Sequence, residues 1–296
     1  MKISKNEGTV FAILSSVFSS LATVIASIGT KAITPLLFLS VSGLVGSLFL
    51  LVMLKFYKQN ITLEKIKKNA KDIANVTIFR SIIGSVLLMV GLSISTGIQA
   101  IFFTKMEPYF ILIYNWIFLH EKISRKHIGL IFVHLFGVFL LATGGILAVH
   151  GGLLGDMLII LAVAVFAHTY ISGRRLSNEI GPISANLITY GIAAVVVIPV
   201  AIAVILVQKP ALNFTGFEYI LPYALFFNVL TLTLWFAALK ELKGWLVSAL
   251  RAVGPVIAAP FAFIFFGQIL SYVQIIGGIL ILATSFILAY DSREKR

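Results

Sequence analysis

Four ionisable residues lie inside otherwise apolar stretches of this sequence, where charge is costly. They are Arg80, Lys105, Glu107 and Arg251. Placing a charged side chain in hydrocarbon costs at least about 2.5–3.5 kcal/mol on insertion scales, so such residues usually face a cavity or a partner. For Glu107, the deepest acidic residue, three interpretations stay open: a substrate or proton site, a structural ion pair, or a shallower position than its neighbours suggest.

The spacing of these charges limits which of them can pair. Lys105 and Glu107 are two positions apart on one helix, so they point in different directions and do not neutralise each other. Glu107 lies about 18 Å along its helix from the predicted cytoplasmic end, and Arg80 and Arg251 lie about 9 Å from theirs. An arginine side chain can cover part of this difference by snorkelling. Arg251 is the better expected partner, because its helix is the counterpart of the Glu107 helix in the second half of the chain. For Arg80, an equal alternative is a side chain reaching down to the headgroups.

Other polar and aromatic groups at similar depth are candidates for the same site. Tyrosine or tryptophan could stack on a planar substrate or cover a cation, although each alone more commonly packs in a core. The candidates are Tyr109, Tyr114, Asn115, His168, Asn228 and Trp235. Pro108 and Pro255 each remove a backbone hydrogen bond and free a carbonyl one turn earlier. They are either hinges for alternating access or fixed bends.

Several kinds of chemistry are not supported by the sequence. It contains no cysteine, which excludes thiolate metal sites and cysteine nucleophiles. A phosphate-binding G-x-x-x-x-G-K-[ST] loop is also absent. His120, His127 and His134 are seven apart, but a predicted turn interrupts the helix between the first two, and one deep glutamate is no carboxylate cluster. We therefore expect no catalytic residues, no metal and no cofactor, and a protein that is not an enzyme.

Composition places these residues in a polytopic membrane protein. The chain is 59% hydrophobic and 11% charged, with a mean hydropathy of +1.05, so it has too little polar surface to coat a soluble globule. The formal net charge is +12. Because the basic residues are scattered in short loops, this charge indicates membrane topology rather than nucleic-acid binding.

Counting apolar runs of about 20 residues predicts ten membrane spans. They are 8–30, 34–54, 73–94, 97–119, 128–149, 153–173, 183–207, 219–239, 245–266 and 272–290. With the N-terminus inside, eighteen basic residues fall on the cytoplasmic side, and only Lys31 and Lys209 fall opposite. This asymmetry predicts that both termini are cytoplasmic.

The two halves of the chain repeat each other at an offset of 147 residues. Pro108 maps onto Pro255 and Glu121 onto Gln268, and further pairs are Gly8 with Gly155, Pro35 with Pro182, Gly97 with Gly244 and Ser124 with Ser271. We infer a duplication, with a first five-helix repeat at 8–149 and a second at 153–290. Because five is odd, the second repeat has inverted topology.

On these motifs the sequence resembles the drug/metabolite transporter superfamily, specifically its EamA-type proteins. The frame from Pro108 to Glu121, with Ser124 and Gly129 after it, is echoed by Pro255 to Gln268 with Ser271 and Gly277. The resemblance implies a ten-helix secondary carrier whose central cavity lies among the first, third, fourth, sixth, eighth and ninth helices. It places the fifth and tenth helices at the back.

The sequence therefore predicts an all-α polytopic membrane protein that carries a small polar metabolite, such as an amino acid or related compound, or a xenobiotic. Transport is by alternating access across the bacterial or archaeal cytoplasmic membrane. Candidate partners are the small-molecule substrate, a coupling proton, the lipid bilayer and a second copy in a homodimer, with no nucleic acid. The alternative is a polytopic scaffold or sensor subunit that does not transport.

Overall fold

The part of the chain that the structure describes folds into α-helices. The computed structural model describes residues 5–57, 61–95, 103–120, 124–144, 153–208, 214–251, 253–254, 256 and 271–294. Within those ranges the regular structure is helical and no strand occurs. The prediction of an all-α protein is confirmed.

Each half contains a comparable series of helices. Those of the first half are Lys5–Ala32 (α1), Pro35–Phe56 (α2), Leu63–Lys68 (α3), Ala70–Asn75 (α4), Ser85–Ile94 (α5), Glu107–Leu119 (α6) and Arg125–Thr143 (α7). Those of the second half are Leu153–His168 (α8), Tyr170–Ile180 (α9), Pro182–Gln208 (α10), Ile220–Tyr223 (α11), Leu232–Glu241 (α12), Gly244–Arg251 (α13) and Tyr272–Glu294 (α14). Two π-helical segments, Val76–Gly84 and Ala224–Thr231, run on into α5 and α12, and a 3₁₀ turn covers Phe214–Tyr219.

Several of these helices are long and apolar enough to cross a membrane. By length and composition they are the continuous stretches at 6–32, 35–56, 70–94, 182–208 and 216–241. A sixth crossing is formed if α8 and α9, which meet at a bend of 48°, count as one. The other four predicted spans correspond to α6, α7, α13 and α14, whose neighbouring residues lie partly outside the described ranges.

The bounds of the helices repeat at the sequence offset. Pro35 and Pro182 each stand at the first position of a helix, where a missing N–H costs nothing. Ser124 and Ser271 each accept a hydrogen bond from the backbone N–H three residues on, at 3.2 and 3.3 Å, as helix N-caps do. The two π-helical segments also occupy matching positions.

The first helix of each half packs mainly against the other half. Helix α1 lies along α12 and the π-helical segment 224–231, whereas α8 lies along α5 and the π-helical segment 76–84. Helices α7 and α14 pack on each other, and glycines allow their close approach. A Cβ on Gly277 would lie 2.5 Å from the backbone nitrogen of Leu141 and 2.6 Å from the carbonyl oxygen of Gly137.

The outward faces of the long helices are apolar. Exposed side chains include Leu48 on α2, Phe132 and Phe136 on α7, and Val195 and Leu206 on α10. Large exposed apolar faces of this kind suit a lipid environment and not water. The molecule is therefore built as an integral membrane protein, with its polar chemistry confined to the interior.

Candidate functional site

Glu107 lies at the centre of a buried cluster of charges. Its Oε1 lies 3.5 Å from Nη1 of Arg80, and its Oε2 lies 3.3 Å from Nη1 of Arg251. The hydroxyl of Ser248 donates to Oε2 at 3.2 Å. Only 6% of Glu107 and 3% of Arg80 are exposed, and 11% of the Arg251 side chain is exposed. One carboxylate therefore binds two guanidinium groups away from solvent.

Both arginines of the sequence analysis thus reach Glu107. The expected contact with Arg251 is present. For Arg80, the alternative of a side chain extended to the headgroups is wrong, because its guanidinium is enclosed by aromatic rings. The guanidinium carbon lies 3.8 Å from the ring centroid of Trp235, 4.7 Å from that of Phe166 and 5.6 Å from that of Tyr170. Contacts of a cation with aromatic faces are favourable and are strongest with tryptophan.

A π-helical turn positions Arg80 for this contact. The segment 76–84 widens the helix, and two serine hydroxyls satisfy its carbonyls five residues back. Ser85 donates to the carbonyl of Arg80 at 3.1 Å, and Ser81 donates to that of Val76 at 3.4 Å. Short π-helical segments occur frequently at functional sites. The matching segment of the second half carries Asn228.

Interrupted helices converge on the cluster. Helix α6 begins at Glu107, α13 ends at Arg251, and α8 ends at the bend near Phe166, whose carbonyl accepts from Nη1 of Arg80 at 3.5 Å. A helix start is electropositive and a helix end is electronegative. Glu107 therefore sits at a positive end, and Arg251 at a negative end. Carriers commonly build ion-binding sites from such discontinuous helices.

The structure corrects the expected position of Pro108 within its helix. The span 97–119 was expected to continue through Pro108, but turns at Lys105 and Met106 interrupt it and α6 begins at Glu107. Pro108 therefore stands in the first turn, where it breaks no helical hydrogen bond. Its hinge role stays a prediction. Pro255 lies outside the described residues.

Ser16 of α1 fills the corresponding interruption of the ninth span. Its hydroxyl donates to the carbonyl of Arg251 and accepts from the backbone N–H of Gly254 at 2.9 Å. Gly254 is 147 positions after Glu107. A Cβ at Gly254 would collide with the Ser16 hydroxyl, so this position of the second half has room for a serine from α1 but not for a side chain of its own.

A small cavity adjoins the cluster. It has a volume of about 10 Å³ and is lined by residues that include Ser81, Tyr190 and Asn228, and Tyr190 also lies close to the Arg80 guanidinium. A cavity of this size holds about one water molecule. Asn228 is 2% exposed, and within the described ranges neither atom of its side-chain amide has a hydrogen-bond partner.

The remaining predicted site residues do not all lie beside Glu107. Lys105 stands in the interruption beside Glu107 and Arg251. The Tyr109 hydroxyl instead donates to the carbonyl of Ile131 on α7, so it points away from the cluster. Tyr114 contacts the ring of His168, with centroids 5.3 Å apart. Trp235 lies under Arg80. The side chain of Asn115 lies outside what the structure describes.

Three polar pairs join α3 and α4 to the bent span formed by α8 and α9. They are Lys68 with Glu179 (Nζ to Oε2 3.0 Å), Asp72 with Arg175 (Oδ1 to Nη1 3.6 Å) and Asn75 with His168 (Nδ2 to Nε2 2.9 Å). We call this set the polar clasp. Sequence reasoning assigned most of these residues to loops and missed it. Its signal was the spacing, since Lys68, Asp72 and Asn75 on one side, and His168, Arg175 and Glu179 on the other, follow helical intervals of three, four or seven residues.

A further contact closes the opposite ends of the same two spans. The hydroxyl of Ser95 donates to Oδ1 of Asp156, and Asp156 is buried. A Cβ on the adjacent Gly155 would lie 2.7 Å from the backbone nitrogen of Ser95. Asp156 lies in the first turn of α8.

The chain is similar in sequence to proteins that are named as transporters. An uncharacterized transporter of Bacillus subtilis (strain 168), YetK, is 26% identical over 214 residues, which span 67% of this chain and 63% of that protein. An uncharacterized transporter of Methanothermobacter thermautotrophicus (strain Delta H) is 24% identical over 237 residues, or 77% of this chain and 67% of that protein. The chain thus spans just under two thirds of the Bacillus relative.

The fold and the family agree with the resemblance seen in the sequence. A crystal structure described only as that of a protein shares the fold, with a TM-score of 0.76 and 12% identity over 98% of this chain and 99% of that one. The family evidence does not favour the scaffold alternative, and at this level it indicates a protein that is not an enzyme. Because the sequence profile of the EamA-like transporter family matches residues 6–143 and 153–290, this chain belongs to that family of membrane transporters.

Proposed function

We propose that this protein is a secondary carrier that moves a small polar metabolite, such as an amino acid or related compound, or a xenobiotic, by alternating access. The observation that carries the proposal is the buried cluster of Glu107, Arg80 and Arg251 at the point where helices are interrupted. Intramembrane charges are expensive and mark transport pathways. Interrupted helices at mid-membrane are typical of carrier binding sites.

Contacts at both ends of one helix pair support the alternating-access part of the proposal. The polar clasp holds α4 against α9 at one end, and the Ser95–Asp156 contact holds α5 against α8 at the other. Asp72 and Ser95 are about 35 Å apart along the helix, at 1.5 Å per residue. In this scheme a cargo enters when one of the two ends opens, and the cavity that adjoins the cluster has room for about one water molecule.

The proposed setting is the bacterial or archaeal cytoplasmic membrane, with both termini on the cytoplasmic side. Proton coupling, the direction of transport and a homodimeric state are parts of the proposal that the same preparation tests. A pH gradient across proteoliposomes tests the first two. Chemical cross-linking at several protein-to-lipid ratios tests the third.

The test is counterflow of radiolabelled metabolites into proteoliposomes that hold purified protein, with an amino-acid panel examined first. We expect uptake above that of empty liposomes, and its loss in Glu107→Gln and in Arg251→Ala. The first variant leaves two buried arginines without their carboxylate, and the second removes a cation from the proposed site. Arg174→Gln, a change on an exposed surface of α9, should transport like the wild type.

Two outcomes would contradict the proposal. In one, the folded wild type moves no compound of a broad metabolite panel in either direction. In the other, Glu107→Gln and Arg251→Ala transport at the wild-type rate, which would separate the cluster from the activity. Gel-filtration profiles of every variant would show that only folded protein is compared.

A further inference from the structure

The buried cluster carries more positive than negative charge. Arg80 and Arg251 share the one carboxylate of Glu107, and Lys105 stands beside the same groups. Counted over these side chains, the guanidinium groups alone exceed the carboxylate by one charge. Burying an ion without a partner is unfavourable, so the imbalance needs a physical reason.

Among the side chains that the structure describes, no other acidic residue supplies the missing negative charge. Asp156 is on the span that packs against Arg80, but it is ten positions before Phe166, which is about 15 Å along the helix, and it accepts from Ser95. The remaining acidic residues all stand outside the ten predicted spans. They are Glu7, Glu64, Asp72, Glu121, Glu179, Glu218, Glu241, Asp291 and Glu294.

Both arginines also keep unused donors. In the part of the chain that the structure describes, Nε of Arg80 and Nε of Arg251 have no hydrogen-bond acceptor, although both atoms are buried. Leaving a buried charged donor unsatisfied is unfavourable. A purely structural ion pair needs one arginine for one carboxylate and no spare donors, so it does not account for this arrangement.

We infer that the cluster binds an oxyanion of the cargo, and that this group is a carboxylate. The inference rests on the proposed carrier function and narrows its substrate class to small organic anions and to zwitterions held by their carboxylate. Guanidinium groups bind carboxylates through paired N–H donors. A carboxylate brings the single negative charge that the two arginines lack, and Asn228 adds an unpartnered amide beside the cavity.

Glu107 has a defined part in this arrangement. It is the counter-ion of both arginines when cargo is absent, and it competes with the cargo carboxylate when cargo is present. Removing its charge and removing an arginine charge therefore have opposite effects on anion binding. A cluster that only holds helices together would lose stability in both variants without any change in preference between an anion and its neutral analogue.

The experiment measures equilibrium binding to the purified full-length protein in nanodiscs. The signal is the fluorescence of Trp235, whose ring lies against the Arg80 guanidinium. The chain has three tryptophans, and Trp116→Phe/Trp245→Phe leaves Trp235 as the one fluorophore of this type. The probes are matched pairs that differ in charge: L-glutamate with L-glutamine, and phenylacetate with phenylacetamide. Phenethylamine is the cationic member. Thermal melting in the presence of each probe gives a second readout, since ligands stabilise the state that they bind.

We expect at least one carboxylate to bind about tenfold or more tightly than its amide, as expected for a charge-assisted contact. Arg251→Gln should abolish that preference and Glu107→Gln should increase it, while Arg174→Gln keeps it. Arg80→Lys is measured beside Arg80→Gln because it retains the charge, so that the role of Arg80 can still be tested if Arg80→Gln does not fold. Equal binding of the amides, tighter binding of phenethylamine, or a preference unchanged in both Arg251→Gln and Glu107→Gln would overturn the inference.

Binding and transport separate this inference from the proposed function. If the carboxylates bind with the stated variant pattern but none crosses the membrane in counterflow, the carrier proposal fails and the anion site stands. If an amine or an amide is transported through a cluster that shows no preference for carboxylates, the carrier proposal stands and the anion site fails.

Discussion

Arg80 is the residue whose surroundings differ most from those of a simple ion-pair partner. It touches Glu107 on one side and the faces of Trp235, Phe166 and Tyr170 on others. The faces of these rings attract the positive charge of the guanidinium. The guanidinium is thereby held in one place, which is what a binding group for a planar anion requires.

Arg80→Gln should therefore destabilise the protein by about 1–3 kcal/mol, because it removes the stacking on Trp235 and leaves the buried Oε1 of Glu107 without its nearby guanidinium. Arg80→Lys should cost less, since the charge stays and only the stacking on Trp235 weakens. Denaturation of the detergent-solubilised protein in a urea or SDS series measures both. A smaller loss in Arg80→Gln than in Arg80→Lys would contradict this account of the cluster.

Ser16 is a second residue with a measurable role. Its hydroxyl joins the carbonyl of Arg251 to the N–H of Gly254 across the interruption that follows α13. Ser16→Ala leaves both buried groups without that partner, so we expect a loss of about 1–3 kcal/mol. Ser27→Ala, on the same helix but bonded only to the carbonyl of Val24, is the matched control. Equal stability of the two variants would show that the bridge contributes nothing.

At the scale of helices, the polar clasp is the contact most open to manipulation. Lys68 and Glu179 are both substantially exposed, at 69% and 46% of their side chains. An exposed pair contributes about 0.2–1 kcal/mol and is screened by salt. The clasp is therefore weak enough to open and close during a transport cycle.

Lys68→Glu should weaken the clasp, and the swap Lys68→Glu/Glu179→Lys should restore it. We expect the single variant to raise labelling of a cysteine placed at Ile73, a buried position of α4 outside the clasp, by a water-soluble maleimide, and to do so at low but not at high salt. Lys65→Glu, on the same short helix but outside the clasp, is the control. Labelling that is identical in all variants would remove the clasp from the gating scheme.

The sequence predicted the centre of the site better than its surroundings. Glu107 and Arg251 stood out because they are charges in apolar spans at related positions of the repeat. The contact of Arg80 was only one of two alternatives, since depth counted along an ideal α-helix ignores the π-helical turn that carries it. Ser16 and Ser248 gave no signal, because serine is common in membrane helices and its value here depends on which helix it faces.

The order of the helices was predicted almost entirely from apolar runs, whereas their interruptions were not. The break at Lys105 and Met106 and the bend after His168 occur within segments that were each predicted as one uninterrupted span. Local hydropathy does not distinguish a broken span from a straight one. The breaks depend on partners in other helices, such as the Arg80 guanidinium that binds the carbonyl of Phe166.

At the scale of the molecule, the inverted arrangement of the two repeats stays a prediction with a direct test. The natural chain has no cysteine, so single cysteines need no prior removal of native ones. Cysteine at Lys31 or Lys209 should react with a membrane-impermeant maleimide on intact cells. Cysteine at Lys126 or Lys243 should react only after permeabilisation, because the basic residues mark the cytoplasmic side. Labelling of Lys31→Cys and Lys243→Cys from the same side would reject the inverted repeat.

The packing of α1 and α8 across the halves has a consequence for how such a protein is assembled. The first helix of each half packs against the opposite half. For α1, the hydroxyls of Ser15 and Ser16 stabilise this packing by donating to the carbonyls of Thr231 and Arg251. If the chain is divided between residues 144 and 153, each fragment lacks the first helix of the other half. The surface against which that helix packs is then exposed. The two fragments should therefore accumulate only when they are co-expressed. We also expect that each rigid body of the transport cycle combines helices from both repeats, so that the two bodies do not coincide with the two repeats.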